Sequence, residues 1–251
     1  MTTVARAYDA IAHEYDAHLA GDPVAGYMRR RLHEHFRCLF HPGNHVLDLS
    51  AGTGADAFYL ATLGVRVTAL DASPGMVAEL KRMAARRGVQ VDARALPAEC
   101  LDELDVCNLD GAISTFAGLN TMNDLPRLAQ NLAERLKPQG RVLIHALNAF
   151  CFWRWAAGRK GAGLYREGLG QVPIGGQMVP HRVYNPFALW RAAFAQKFDL
   201  CRVYALCVIA GLPFIKRFPF ATRPLFALDR ILGSVFPTAG DFFVVELEKR
   251  G

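Results

Sequence analysis

The feature that most constrains the fold is the stretch from residue 46 to residue 71. It begins as an apolar strand, turns at Gly52 and Gly54, continues as a helical stretch and returns as a second apolar strand that ends in Asp71. Glycine lets the chain turn tightly and approach a ligand without an intervening Cβ atom, and a helix that begins there leaves unpaired N–H groups at the turn. This order predicts a crevice for a nucleoside, with Asp71 on the ribose hydroxyls and Asp48 near the charged end of the ligand.

The spacing of this stretch leaves two cofactors open. The pattern Gly52-x-Gly54-x-x-Ala57, with Asp71 nineteen residues after Gly52, also satisfies the dinucleotide-binding fingerprint. A nicotinamide-dependent oxidoreductase and an enzyme that uses S-adenosylmethionine (SAM) therefore both agree with these residues. A glycine turn that binds no ligand is the third interpretation.

The composition is that of a globular chain, long enough for one α/β domain with additions: 251 residues, of which 52% are hydrophobic and 21% charged. The net charge of +6 is spread along the chain. Because nucleic-acid binding favours a basic stripe interleaved with aromatic residues, and none is visible, we expect no nucleic-acid partner. The six cysteines form no Cys-x-x-Cys pair, which predicts reduced thiols and no metal site.

Two features bear on location. The first residues include no apolar signal region, so we expect a cytoplasmic protein. The longest apolar run, from Leu206 to Ile215, is about half the length needed to span a bilayer, so we expect no transmembrane segment. The sequence leaves the oligomeric state open.

The apolar periodicity predicts helices and strands in alternation up to residue 147. Two helices are expected first, over 4–20 and 24–41, and a later one begins at the Ser73 cap and Pro74. Another runs from Asn123-Asp124 to Leu136. Strands are predicted at 45–50, 65–70, 89–94, 110–115 and 140–147. Continuously apolar strands that alternate with helices indicate a parallel sheet covered on both faces.

The pattern is less regular after residue 147. Residues 148–183 are rich in glycine and aromatic residues, and a helix is predicted from Asn185-Pro186 to about Gln196. A strand at 198–206, an apolar insert at 207–238 and a last strand at 241–248 follow. No ordinary crossover helix links these strands, so we expect a strand pair that turns back on itself at the sheet edge.

Four segments together resemble the class I SAM-dependent methyltransferases, in the branch of quinone-biosynthesis-like small-molecule enzymes. They are Tyr8-Asp9-x-x-Ala12-x-x-Tyr15-Asp16, Val46-Leu-Asp-Leu-Ser-Ala-Gly-Thr-Gly54, Val67-Thr-Ala-Leu-Asp71-Ala-Ser-Pro-Gly-Met76 and Leu136-Lys-Pro-Gln-Gly140. The match covers about residues 4–147 well and the remainder only in outline. It favours SAM over a nicotinamide cofactor, although Ser50-Ala51 departs from the Gly-Cys that usually precedes the first glycine of this turn.

The resemblance implies a Rossmann-like, doubly wound α/β fold. Its sheet has seven mostly parallel strands and an antiparallel C-terminal edge strand, with N-terminal helices and a helical, aromatic lid insert. Within one domain, residues 1–44 would form a helical cap and 45–147 the SAM-binding core. Residues 148–251 would add the acceptor-specificity inserts and the last strands.

The resemblance also implies roles for individual residues. Those expected to bind the cofactor are Tyr8, Tyr15, Asp48, Ser50, Ala51, Gly52, Gly54, Asp71, Ala72, Met76, Ala95, Leu96 and Ser114. Those expected to line the acceptor pocket are Phe116, Asn120, Trp153 and Tyr184. His181 and His145 are the candidate general bases, since abstraction of a proton helps a hydroxyl acceptor. Helix packing for the tyrosines and a core position for His145 are the structural alternatives.

The expected activity is methyl transfer from SAM to a small aromatic or lipophilic molecule, with an oxygen, nitrogen or carbon nucleophile. One alternative is the nicotinamide-dependent oxidoreductase. Another is a SAM-fold protein that binds a ligand without catalysis, because Ser50-Ala51 alters the glycine turn. The apolar insert with its arginines and lysine leaves room for peripheral contact with a membrane surface.

Overall fold

The computed structural model describes residues 1–152, 169–211, 215 and 219–251. Its helices are α1 Thr3–Ile11, α2 Tyr15–Ala20, α3 Pro23–Leu39, α4 Ala55–Thr62, α5 Pro74–Arg87, α6 Leu125–Arg135, α7 Pro186–Leu189 and α8 Thr222–Val235. Its strands are β1 His45–Asp48, β2 Arg66–Asp71, β3 Asp92–Ala95, β4 Leu109–Ser114, β5 Leu136–Leu147, β6 Leu169–Ile174, β7 Gln177–Arg182, β8 Phe198–Leu206 and β9 Phe242–Lys249. Within the described ranges, no helix is both long and apolar enough to cross a membrane.

Seven strands form one twisted sheet in the order β3-β2-β1-β4-β5-β9-β8. The first five are parallel, with Val46 of β1 beside Val67 of β2 and Gly111 of β4. The strand order reverses at β1, so the carboxyl ends of β1 and β4 diverge into a crevice, the position at which open α/β sheets bind ligands. The predicted Rossmann-like class is confirmed.

The last two strands of the sheet form the predicted pair that turns back on itself. β9 runs antiparallel to both β5 and β8 and lies between them, one place in from the edge at which it was predicted. Its Phe-Phe-Val-Val run is largely buried, which suits an interior strand. β8 forms the edge instead, and its first half exposes polar residues such as Asp199 and Arg202, which discourage pairing with another sheet.

Alternation along the strands directs side chains into two apolar cores, one on each face of the sheet. Leu47 and Val142 belong to the core covered by α6. Their neighbours Val46 and Leu143 belong to the core covered by α3, α4 and α5. The central strands β1 and β4 are therefore buried on both faces, whereas the edge strand β3 buries only Ala93.

Several predicted elements have different bounds in the structure. The single helix predicted over 4–20 is two helices, α1 and α2, separated by residues 12–14. The third strand begins at Asp92 rather than at residue 89, because Gly88 (φ 64°) ends α5 in a left-handed turn. The Val89 N–H then donates to the Ala84 carbonyl at 3.0 Å, so residue 89 still belongs to the end of the helix.

The structure adds a hairpin that the sequence analysis left as irregular chain. β6 and β7 pair around Gly175 and Gly176, whose φ angles are 54° and 73°. A two-residue glycine turn of this kind suits a tight antiparallel hairpin. Farther along, the helix predicted from Asn185 begins there, but after Leu189 it continues as a π-helical turn, Trp190–Phe194.

Candidate cofactor and acceptor cleft

A cleft of about 830 Å³, part of it open to solvent, lies over the carboxyl ends of β1, β2 and β4. Two turns, one after β1 and one after β4, contribute to its walls, and Tyr8 of α1 and Tyr15 of α2 line it as well. The described residues that line it are Thr2, Val4, Tyr8, Tyr15, Leu49, Ser50, Gly52, Asp71, Ala72, Met76, Pro97, Ala98, Glu99, Thr115, Phe116, Gly118, Thr121, Met122 and Asn123.

The turn after β1 fixes the carboxylate of Asp71 at the cleft wall. The Gly52 N–H donates to Asp71 Oδ2 at 2.8 Å, and the Ser73 N–H donates to Asp71 Oδ1 at 2.9 Å. Burial raises the pKa of Asp71, while these two hydrogen bonds lower it. Each carboxylate oxygen accepts one bond from the backbone and keeps a lone pair, so this side chain can accept two further hydrogen bonds from a diol.

Asp48 lies beneath the same turn and is buried, with 1% of its surface exposed. Its Oδ1 accepts a long hydrogen bond of 3.4 Å from the Ser50 N–H, and its Oδ2 has no hydrogen-bond partner. Burial and the nearby carboxylates of Asp56 and Asp71 raise its pKa well above the usual value. A buried carboxyl oxygen without a partner, close to a ligand cleft, is suited to receive a cationic group.

Residues 8–16 contain two Tyr–Asp pairs, in which the tyrosine lines the cleft and the aspartate holds its helix to the sheet. Tyr8 and Tyr15 line the cleft, with their rings edge to face and the centroids 6.2 Å apart. Asp9 Oδ1 accepts hydrogen bonds from the Ser73 hydroxyl at 2.9 Å and from the Gly75 N–H at 2.6 Å. The carboxylate therefore fastens α1 to the turn after β2, and the tyrosine faces the ligand space.

Asp16 does the same for α2 at the turn after β1. Its Oδ1 accepts a hydrogen bond of 2.6 Å from the Thr53 hydroxyl. From the other side, the β6–β7 hairpin holds α1: a Cβ atom at Gly175 would lie 2.2 Å from the Ala7 carbonyl oxygen. The sequence analysis singled out the tyrosines but missed the structural role of the aspartates that follow them.

The turn after β4 carries two non-glycine residues with positive φ, Phe116 (49°) and Ala117 (66°). His145 of β5 holds both: its Nδ1 accepts a hydrogen bond from the Phe116 N–H at 3.0 Å, and its carbonyl accepts one from the Ala117 N–H at 3.2 Å. The Arg29 guanidinium lies 4.4 Å from the centroid of the Phe116 ring. These contacts keep the Phe116 ring at the cleft.

Below this turn, Asp56 organises a buried polar cluster. The Thr115 hydroxyl donates to Asp56 Oδ2 at 2.7 Å, and His33 Nε2 lies 2.8 Å from Asp56 Oδ1. Arg29 adds an ion pair at 3.4 Å. Burial alone would raise the pKa of Asp56, but its bonds to His33, Arg29 and Thr115 hold it below the usual value. Because the Thr115 hydroxyl donates its hydrogen bond to an ionised carboxylate, its oxygen keeps lone pairs that can accept a hydrogen bond.

The comparisons with known proteins agree with this geometry. A family model described as a methyltransferase domain matches residues 46–140. The chain is 32% identical over 106 residues, 42% of its length, to a ubiquinone biosynthesis O-methyltransferase of Xanthomonas axonopodis pv. citri, and this covers 44% of that protein. It is 30% identical over 134 residues, 52% of its length, to the ubiquinone/menaquinone biosynthesis C-methyltransferase UbiE of Zymomonas mobilis, and covers 54% of it. The chain therefore contains a methyltransferase domain over residues 46–140.

The matches span about half the length of these curated relatives. Solved structures cover more of the chain. The CcbJ methyltransferase of Streptomyces caelestis has a TM-score of 0.64 and 20% identity, with 98% of each chain covered. A 1,6-didemethyltoxoflavin-N1-methyltransferase of Burkholderia thailandensis, solved with S-adenosylhomocysteine, has a TM-score of 0.61 and 19% identity, covering 99% of this chain and 88% of that one. At these identities the likeness concerns the fold.

Of the residues expected to bind SAM, Tyr8, Tyr15, Ser50, Gly52, Asp71, Ala72 and Met76 line the cleft. Ser114 lies one layer behind, with its hydroxyl 3.2 Å from that of Ser50. Ala51 and Gly54 shape the turn from inside. Ala95 and Leu96 are not brought to the cleft wall, because β3 ends at Ala95 and the chain turns; Pro97, Ala98 and Glu99 line it instead.

Neither candidate base lies at the cleft wall. His145 is fully buried, the Phe116 N–H occupies its Nδ1, and burial lowers its pKa to about 3. The structure corrects its assignment as a base: it is a buried histidine that positions the turn after β4. His181 of β7 is also buried, with its ring against Gly170, and burial lowers its pKa.

The remaining acceptor-pocket predictions divide three ways. Phe116 lines the cleft. Asn120 is buried and joins two strands instead, since its side chain accepts a hydrogen bond from the Leu147 N–H at 2.9 Å and donates to the Arg182 carbonyl. Tyr184 lines a neighbouring groove that shares Asn123 with the cleft. Trp153 lies outside the described residues.

Proposed function

We propose that this protein transfers a methyl group from SAM to a small aromatic acceptor that presents a hydrogen-bond donor, such as a phenol hydroxyl or an amine. The observation that carries the proposal is that two features line the same cleft. One is the Asp71 carboxylate, held by two backbone N–H groups. The other is the pair Thr115 and Phe116 in the turn after β4.

Three features of the turn after β1 suit SAM. Asp71 would accept the ribose hydroxyls, the absence of a Cβ atom at Gly52 lets the ligand approach the backbone, and the partnerless Oδ2 of Asp48 would receive the ammonium group. Tyr8 and Tyr15 would cover the ligand. When bound, SAM supplies a methyl group activated by its positively charged sulfur. Residues 1–44 would then serve as a cap and 45–147 as the SAM-binding core.

On the acceptor side, the described residues would bind and orient the methyl acceptor rather than remove a proton from it. Phe116 and Met122 offer apolar surface for a flat ring. The Thr115 hydroxyl donates a hydrogen bond to Asp56. Its oxygen would therefore accept a hydrogen bond from the O–H or N–H of the methyl acceptor and align that group. Alignment alone accounts for a large part of the rate enhancement in a displacement reaction. Residues 148–251 would add acceptor specificity.

Titration calorimetry tests the cofactor. We expect SAM and S-adenosylhomocysteine to bind and NADH not to bind. Loss of the charged hydrogen bonds in Asp71→Asn should weaken SAM binding about 10-fold or more, since such bonds contribute about 1.5–3 kcal/mol each. Asp102→Asn, which changes an exposed carboxylate, is the control. Tight NADH binding without a response to SAM would establish the oxidoreductase alternative.

A screen of phenols and aromatic amines, read as S-adenosylhomocysteine formed, tests the acceptor. Because the similar proteins are named as ubiquinone biosynthesis methyltransferases, the panel begins with acceptors from ubiquinone biosynthesis. For any acceptor found, Thr115→Val should raise KM with little change in the SAM Kd, and Thr115→Ser should restore it. SAM binding without turnover across the panel would favour the ligand-binding alternative.

A further inference from the structure

A second cavity lies away from the cleft, between α3, the edge strand β8 and α8. It encloses about 950 Å³, part of it open to solvent, and none of its described lining residues belongs to the cleft. Its walls include three arginines, one from each of these elements: Arg31, Arg202 and Arg230. The proposed methyl transfer uses none of them. We call it the three-arginine pocket.

The three-arginine pocket has more positively charged groups than carboxylates to neutralise them. Glu34 is shared, because it forms a close ion pair with Arg31 and a second one at 3.5 Å with Arg230. Glu246 is also shared, at 2.5 Å from His35 Nδ1 and 4.0 Å from the Arg202 Nε. Two carboxylates therefore serve three guanidinium groups and an imidazole. At least one positive charge remains without a partner of its own.

Two buried hydrogen-bond donors in the pocket are also unused. Arg31 is 8% exposed and Tyr204 is 3% exposed, yet the Arg31 Nε–H and the Tyr204 hydroxyl have no hydrogen-bond partner. Burial raises the pKa of Tyr204 well above its usual value, so the hydroxyl keeps its proton and can donate it. Buried polar groups in folded proteins are nearly always paired, with protein, water or a ligand. The Arg31 Nε–H and the Tyr204 hydroxyl are therefore candidates to donate hydrogen bonds to a ligand.

The wall that carries these donors is well ordered by its own packing. The His35 ring stacks on the Tyr204 ring with the centroids 4.4 Å apart. The Arg31 guanidinium lies 5.9 Å from the Tyr204 centroid. By contrast, the side chains of Arg202 and Arg230 are 62% and 59% exposed, so they can move toward a ligand at the rim. A fixed donor wall with two mobile guanidinium groups is suited to enclose a small anion.

The chemistry of these groups selects the ligand. Arg31, Arg202, Arg230 and Tyr204 present donors or positive charges, which favours an anion rich in acceptor oxygens over a cation. Guanidinium groups match the oxygens of phosphate in geometry and charge, and phosphate offers more acceptor oxygens to the three arginines than a single carboxylate does. We propose that the three-arginine pocket binds the phosphate group of a small molecule.

Titration calorimetry with inorganic phosphate, at constant ionic strength set with sodium chloride, tests this proposal. We expect saturable binding that weakens at least 10-fold in Arg202→Gln/Arg230→Gln. Arg223→Gln removes an exposed arginine of the same helix outside the pocket and should leave the Kd unchanged. Tyr204→Phe should keep the fold, since it removes a hydroxyl without a partner, and should weaken phosphate binding about 3-fold to 10-fold.

Four outcomes would overturn the proposal. They are absence of saturable binding, equal weakening in Arg223→Gln and the double variant, binding of acetate as tight as that of phosphate, and displacement of phosphate by S-adenosylhomocysteine. The last would move the phosphate into the cleft. Unchanged phosphate binding in Asp71→Asn would support the three-arginine pocket whether or not the proposed methyl transfer is correct.

Discussion

The two turns that line the cleft both contain two residues with positive φ, but the residue types differ. After β1 the positive φ angles belong to Gly52 (53°) and Gly54 (90°). After β4 they belong to Phe116 (49°) and Ala117 (66°). Glycine adopts this conformation without penalty, whereas a residue with a Cβ atom is strained in it by about 1–2 kcal/mol.

The difference indicates what each turn presents to a ligand. The glycine turn offers its backbone, because nothing projects from Gly52 between the chain and the cleft. The turn after β4 offers side chains, and tertiary contacts to His145, Arg29 and Asp56 hold it in a conformation that its own residues disfavour. Strain of this kind concentrates at functional sites. It supports the proposed division of the cleft into a cofactor wall, the turn after β1, which offers backbone, and an acceptor wall, the turn after β4, which offers side chains.

The largest expected effect comes from Gly54→Ala. The new Cβ atom would carry a φ of 90° and lie 2.6 Å from Leu80 Cγ and 2.9 Å from Phe58 Cζ. Backbone strain and overpacking together should lower the free energy of unfolding by about 2–5 kcal/mol. Denaturant unfolding followed by circular dichroism measures it.

Gly52→Ala is the matched control within the same turn. Its Cβ atom would meet only Tyr15 Cε1, at 3.8 Å, so we expect a loss of stability of about 1–2 kcal/mol from backbone strain. Because this Cβ atom points toward the cleft, SAM binding should weaken more in Gly52→Ala than in the folded fraction of Gly54→Ala. The reverse order would contradict the assignment of Gly52 to the ligand and Gly54 to the fold.

His145 gives the next effect through pH. Its folded-state pKa is lowered to about 3, so the unfolded chain takes up a proton that the folded protein excludes. Stability is therefore complete above the unfolded pKa of about 6.5 and is lost as pH falls toward 3, by about 1.4 kcal/mol per pH unit. Between pH 7 and pH 5 the native protein should lose about 2 kcal/mol more than His145→Asn.

His145→Asn keeps an acceptor near the position of Nδ1 for the Phe116 N–H, although it loses the ring contacts. Its stability at pH 7 is therefore expected to be lower, and the informative quantity is the slope of stability against pH. Parallel slopes for the two proteins would show that the turn after β4 does not depend on a neutral buried imidazole.

The same two turns show what the sequence could and could not predict. Asp71, Ser73 and Pro74 follow local rules, since capping and strand ends are written in consecutive residues. The β6–β7 hairpin was missed although Gly175-Gly176 marks its turn. Pro173 and Pro180 lie inside its strands, where proline argues against pairing.

The acceptor wall was the hardest part to predict because its bonds join distant residues. His33 and Thr115 meet at Asp56 across 23 and 59 positions of sequence. No spacing rule connects them. One local sign was available: Asp56 is a charged residue in the first turn of an otherwise apolar helix, and its side chain is 6% exposed. A buried carboxylate in such a helix requires partners.

Asp48→Asn separates stability from function on the cofactor wall. The raised pKa means that burial disfavours the ionised carboxylate, so the native protein is favoured at low pH and loses stability as pH rises above the ordinary pKa of aspartate. The neutral amide should raise the free energy of unfolding at pH 7 by about 1–2 kcal/mol. The gain should shrink toward pH 4.

The same substitution should weaken SAM binding about 10-fold, because the group proposed to receive the ammonium is lost. Calorimetry and denaturant unfolding on one preparation give both quantities. A variant that is less stable than the native protein, or that binds SAM equally well, would remove Asp48 from the proposed ligand site.

Ala117→Gly should give the smallest effect and is the direct mirror of Gly52→Ala. It relieves a φ of 66° without removing any side-chain contact beyond one methyl group. Relief of about 1–2 kcal/mol of strain is partly offset by the greater entropy of glycine in the unfolded chain, about 0.5–1 kcal/mol. The net expectation is a stabilisation of about 0.5–1 kcal/mol with no change in SAM affinity.

Ala78→Gly, at an exposed position within α5, is the control and should be destabilising by about 1 kcal/mol. Changes of opposite sign in the free energy of unfolding of the two variants would show that the turn after β4 stores strain. Changes of the same sign would mean that its surroundings have removed that strain. The contrast between the two walls would then rest on side-chain chemistry alone.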